Sequence, residues 1–222
     1  MSTTPNDIRA HVPPRAVAVS GIIFSVMYIT SLVLVRLAMP ADPGDPGAWF
    51  GDPDQRNSIR MALNLVPFTG TAFLWFMGVL RTRIGLLEDQ FLATVLFGSG
   101  LLFVGLLFGA AALAGGLLGT LSVDGQPVAN SEAYALGRRI SYLLMNTFAV
   151  KMAGVFMFVT STIGFRTTIF PRWLVYLGYT LGIVMLLTIT DFAWIALVFP
   201  SWVLLISAYI LVTNSKQGDS RH

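Results

Sequence analysis

Apolar residues run through this chain in six long blocks, at about 16–39, 58–80, 90–118, 137–165, 173–190 and 192–212, separated by short polar stretches. The blocks are continuous rather than alternating, so they predict helices and not half-buried strands. Each falls near or above the ~17–25 residues that carry a helix across the hydrocarbon of a bilayer. The chain therefore reads as all-α: a polytopic membrane helical bundle of six transmembrane helices over 16–213, with polar tails at 1–15 and 214–222. The first tail, with Pro13 and Pro14 in succession, is expected to be disordered.

The block borders carry their own signals. The first block is too long for the apolar part of a signal peptide, and the cleavage-like Ala38-Met39-Pro40-Ala41 contains a proline and follows Arg36, so the block is expected to stay as an uncleaved span. Residues 40–57 hold three Asp-Pro pairs and three glycines and read as a loop, with Trp49 and Phe50 suited to dip into a headgroup layer. Pro67 and Gly70 predict a bend in the second span, which must pack against neighbours or against Thr69 and Thr71. In the third block Gly105, Gly109, Ala112, Gly116 and Gly119 share one helical face, which lets another backbone approach closely. Between the fifth and sixth blocks no glycine or proline marks a turn. A single helix from Trp173 to Val212 would be ~60 Å long, about twice the hydrocarbon thickness, so the chain must reverse, and Asp191 is the charged residue that marks the place.

Composition agrees with the pattern: 55% of the 222 residues are hydrophobic and 11% are charged, against roughly a quarter charged in soluble domains. The net charge of +3 comes from cations that flank apolar blocks rather than from a basic patch, so nucleic acid is not an expected partner. With no cysteine, disulfides, thiolate metal sites and cysteine nucleophiles are excluded. The two histidines, His11 and His222, lie in the tails, which excludes a histidine-ligated haem inside the bundle. No cofactor, metal site or catalytic residue is implied.

Charge also orients the chain. Six spans put both termini on one side, with Arg9, Arg15, Arg81, Arg83, Arg166, Arg172, Lys216 and Arg221, while the other side carries Asp42, Asp45, Asp52, Asp54, Asp124 and Glu132, with Arg56 the clear loop cation there. Excess Lys and Arg marks the cytoplasmic side, so both termini are expected to be cytoplasmic.

The charges inside or beside spans are the candidate chemistry. Arg36, Arg60, Arg138 and Arg139 lie near the outer ends of spans one, two and four, with Asp191 at the same depth. They read either as snorkelling side chains with ion pairs or as an outer-leaflet pocket for an anion such as a lipid phosphate. Lys151 lies about 18 and 22 Å along the helix from Arg139 and Arg166, close to mid-bilayer, where a lysine costs about 2.5–3.5 kcal/mol. No span offers a carboxylate at that depth. The amine must meet water, Thr147, Asn64, Asn146, hydroxyls of other spans, or carbonyls freed near Pro67 or Pro200. The candidate ligand-binding set is therefore Lys151, Asn64, Asn146, Arg60, Arg138, Arg139 and Asp191. Asn64 and Asn146 read equally as amides that bridge helices. A serine–lysine hydrolase would draw on Ser20, Ser25, Ser99 or Ser141, and nothing selects among them. A faint echo links Arg60, Asn64 and Arg81-Thr82-Arg83-Ile84 to Arg139, Asn146 and Arg166-Thr167-Thr168-Ile169, as a duplicated hairpin would.

The stretches Leu63 to Gly85 and Glu88 to Phe103, with Gly137-Arg138-Arg139, Arg172-Trp173-Leu174 and Phe199-Pro200, resemble a family of uncharacterised actinobacterial multi-pass integral membrane proteins. The resemblance covers spans two to six. It implies a multi-pass inner-membrane protein and no established activity, substrate or site residue. Three functions stay open: binding or moving a small anionic or amphipathic molecule such as a lipid, a non-catalytic scaffold or accessory subunit of a homo- or hetero-oligomer, and an intramembrane enzyme using Lys151.

Overall fold

The computed structural model describes residues 14–38, 52–84, 90–120, 132–188 and 194–219. It is an all-helical bundle: α1 (Pro14–Ala38), α2 (Pro53–Ile84), α3 (Gln90–Thr120), α4 (Glu132–Leu143), α5 (Val150–Thr167), α6 (Arg172–Leu187) and α7 (Val198–Asp219). A π-helical segment, Leu144–Ala149, joins α4 to α5 into one continuous span of 36 residues, and a 3₁₀ turn, Ile195–Leu197, leads into α7. By length and composition five of the described helices can cross a membrane, and the 16-residue α6 is a shorter apolar helix.

Several helices start earlier than the apolar blocks suggest. α2 begins at Pro53 rather than Ser58, because Asp52 caps it: its side chain accepts the amide of Asp54 at 2.9 Å, and its carbonyl accepts the amide of Arg56 at 3.1 Å. An aspartate at the cap and a proline in the first helical position form a helix start, so the third Asp-Pro pair opens a helix instead of excluding one. Arg56 accordingly lies in the first turn of α2 and not in a loop. The fourth span begins at Glu132, five residues before the apolar block. Asp191, the expected turn marker, lies outside the described residues. The helix before it ends at Leu187, and Thr188 is already extended (φ −66°, ψ 119°).

Neighbouring helices run antiparallel. Ser31 on α1 donates to the carbonyl of Ala62 on α2 at 3.0 Å, and Ser141 on α4 to that of Ala110 on α3 at 2.9 Å. Five phenylalanines meet at the centre, one from each of α1, α2, α3, α5 and α7. The Phe73 ring lies 4.8 Å from Phe24, 5.2 Å from Phe103, 5.2 Å from Phe156 and 5.6 Å from Phe199. α5 and α6 touch through backbone, since a Cβ placed on Gly154 would sit 3.0 Å from the carbonyl oxygen of Gly182, and the reverse also holds. Among the described residues the glycine face of α3 is not filled: a Cβ on Gly105, Gly116 or Gly119 would meet none of them within 4 Å, while one on Gly109 would meet Leu144 at 3.6 Å. Large apolar side chains such as Leu37, Phe68, Trp75, Phe91 and Leu187 point outward.

Candidate ligand cavity

The far end of the bundle, where α1 stops and α2 starts, contains a cavity of about 110 Å³ between α1, α2, α3 and α4. Each helix presents one stripe to it at helical spacing. α1 supplies Tyr28, Ser31, Leu32, Val35 and Arg36; α2 supplies Ile59, Leu63 and Val66. From α3 come Leu107, Ala110, Ala111, Ala114, Leu117 and Leu118. The fourth span contributes Tyr134, Arg138, Ser141, Tyr142, Met145 and Asn146. The phenylalanine cluster underlies it through Tyr28, which stacks on Phe24 (centroids 5.6 Å apart) and meets Phe103 edge-on at 5.8 Å.

The cavity's polar groups come from α1 and the fourth span. Arg36 donates from a terminal guanidinium nitrogen to Asn146 Oδ1 at 2.8 Å, across 110 residues of sequence. The Asn146 amide nitrogen in turn donates to the Tyr142 carbonyl at 3.3 Å, one turn back. Asn146 lies inside the π-helical segment, where a side chain bonding to a backbone carbonyl competes with the regular ladder. Arg138 is buried and donates to the Tyr134 hydroxyl at 2.9 Å. No described carboxylate lines the cavity or bonds to Arg36, and a guanidinium has five N–H donors. A hydrogen bond to a charged group contributes about 1.5–3 kcal/mol, so Asn146 offsets part of the cost of holding this cation among apolar walls and leaves donors available.

The structure brings together Arg138 and Asn146 from the expected set and adds Arg36, which the sequence places near the end of its span without a partner. Arg60, Asn64 and Arg139 are exposed and do not line the cavity. Asp191 lies outside the described residues. The tyrosines were legible only in retrospect: Tyr134, Arg138, Ser141, Tyr142 and Met145 fall on one helical face, a polar and aromatic stripe within the longest span.

Lys151 does not line this cavity either. Its ammonium donates to the carbonyl of Leu186 at 3.2 Å. Leu186 sits in the last turn of α6, where carbonyls lack intrahelical partners and the helix dipole is negative. α6 is ~24 Å long, less than half of the ~54 Å fourth span beside it, so its C-terminus stops level with Lys151. The missing anion is therefore the end of a short helix. Ser20, Ser25, Ser99 and Ser141 each donate to a backbone carbonyl, so among the described residues no serine–lysine pair is made. Lys151→Met is expected to change stability by less than about 1 kcal/mol, because the charge cost of about 2.5–3.5 kcal/mol that it removes is close to the charged hydrogen bond that it loses. Thermal unfolding in detergent measures this, and a loss of several kcal/mol would mean that the amine does more than close α6.

Comparison with known proteins returns no match among family models, curated proteins or solved structures.

Proposed function

We propose that this chain is a multi-pass integral membrane protein of a bacterial plasma membrane, with both termini cytoplasmic, and that it binds an amphipathic small molecule in the far-end cavity. Five helices long and apolar enough to cross a membrane, their outward apolar side chains, and the bias of Lys and Arg toward the side that holds the termini support the location. The resemblance to uncharacterised actinobacterial membrane proteins accords with it. In this topology the cavity belongs to the leaflet away from the cytoplasm.

One observation carries the binding reading. A cavity walled by apolar side chains from four helices receives Arg36, Arg138 and Asn146 from two of them. Apolar walls with a few convergent polar groups are the usual form of a small-molecule site, and a ligand that satisfies both must itself be amphipathic. The experiment is retention of a dodecyl amphiphile by the purified protein, read by native mass spectrometry on release from detergent. Ala114→Phe, which fills the cavity from α3, is expected to reduce retention at least tenfold with the fold intact. Equal retention by the filled variant would place any bound amphiphile elsewhere and end this reading.

A further inference from the structure

Resting on the cavity reading above, we infer that the ligand is a single-chain amphiphile with an oxyanion head, a carboxylate or a phosphate monoester, gripped by Arg36. No described carboxylate lines the cavity or bonds to Arg36, so this guanidinium disfavours a cationic head and leaves an anion as the match. Arg36 is the gripping group because Asn146 holds one of its donors at 2.8 Å and the rest of its planar fork has no described acceptor. A guanidinium set in this way pairs with two oxygens of one head at once, which an ammonium cannot do.

Asn146 is a positioning residue: its amide oxygen orients the guanidinium without neutralising it. An aspartate there would be an internal counter-ion and would satisfy the site from within. The tail's path follows from α3, whose stripe from Leu107 to Leu118 is aliphatic and alanine-rich and runs ~16 Å along the helix. Since a cavity of about 150 Å³ holds one benzene ring, the 110 Å³ here has room for the oxyanion head and the first few methylenes of one chain, not for a glycerol backbone that carries two, and the rest of the tail runs along the α3 stripe.

The test measures retention of four probes that share one chain: dodecanoate, dodecyl phosphate, dodecanol and dodecyltrimethylammonium. Wild-type protein is expected to hold at least one of the two anions tenfold or more tightly than dodecanol, and the cation no better than dodecanol. The tighter anion identifies the head as carboxylate or phosphate. Arg36→Gln is expected to bring the anions down to the dodecanol level. Asn146→Asp is expected to do the same while melting at or above the wild-type temperature, which keeps the test decisive if Arg36→Gln fails to fold. Equal binding of dodecanol and both anions, or an anion preference that survives Asn146→Asp, would overturn the inference and leave the cavity reading standing. Retention of none of the four would overturn both.

Discussion

Phe73→Ala is expected to lower the stability of the folded bundle by about 3–5 kcal/mol, the range for truncating a fully buried aromatic ring. Phe73 has no exposed surface and packs against rings from four other helices, with Phe76 of its own helix 6.2 Å away. In lipid the hydrophobic effect does not drive helices together, so association rests on close packing and on polar bonds between helices. A cavity at the meeting point of five helices removes packing from all of them at once. The neighbours cannot collapse into it without shifting helices held elsewhere by the Ser31–Ala62 and Ser141–Ala110 bonds. The matched control is Phe68→Ala on the same helix, whose ring is 64% exposed and whose loss should cost within about 0.5 kcal/mol. Reversible unfolding of both variants in mixed micelles gives the comparison. Similar losses from the two would mean that the ring cluster is not the shared core. Because Tyr28 stands on this cluster and lines the cavity, Phe73→Ala should also loosen the cavity floor and weaken retention of any amphiphile there.

The second large effect is expected at Gly182, where leucine should cost about 3 kcal/mol, the upper end of the overpacking range. A single Cβ at this position already meets the Gly154 carbonyl oxygen at 3.0 Å and the Phe158 amide nitrogen at 3.4 Å. Both belong to backbone, which cannot rotate away as a side chain can. Alanine should therefore be costly and leucine more so, giving a graded loss of stability along the series glycine, alanine, leucine. Forcing α5 from α6 would also pull Leu186 away from Lys151, leaving the ammonium without the carbonyl it bonds. The Gly182→Leu, Lys151→Met double variant is accordingly expected to lose less than Gly182→Leu alone, since the orphaned charge is gone. A Gly182→Leu protein as stable as wild type would show that the two helices do not touch at this point.

Individual residues show how far the sequence could be read. Pro67 lies inside α2, where its block placed it, and Thr69 and Thr71 bond carbonyls one turn back within that helix. The start of α2 was misplaced because Asp-Pro was weighed as a turn signal, although the same pair serves as cap and first residue of a helix. Lys151 was legible as a group in need of a polar partner. The carbonyl of Leu186 was not legible as that partner, because nothing local to residues 172–187 says that this helix stops level with a lysine on another one. Arg60, Asn64 and Arg139 had the same composition signal as Arg138 and Asn146. A rotation of the helix separates those that face the cavity from those that face outward.

What the sequence determined by itself is the all-helical character and the placement of six apolar blocks. A helix bonds its own backbone within four residues, so each block needs no knowledge of its neighbours to declare what it is. Only the tertiary structure decided the chemistry: that Arg36 reaches Asn146 across 110 residues, that a π-helical segment carries that asparagine, and that a short α6 offers its C-terminus to Lys151. Those meetings depend on helix length, rotation and depth together, and a polar atom finds its partner through the sum of all three.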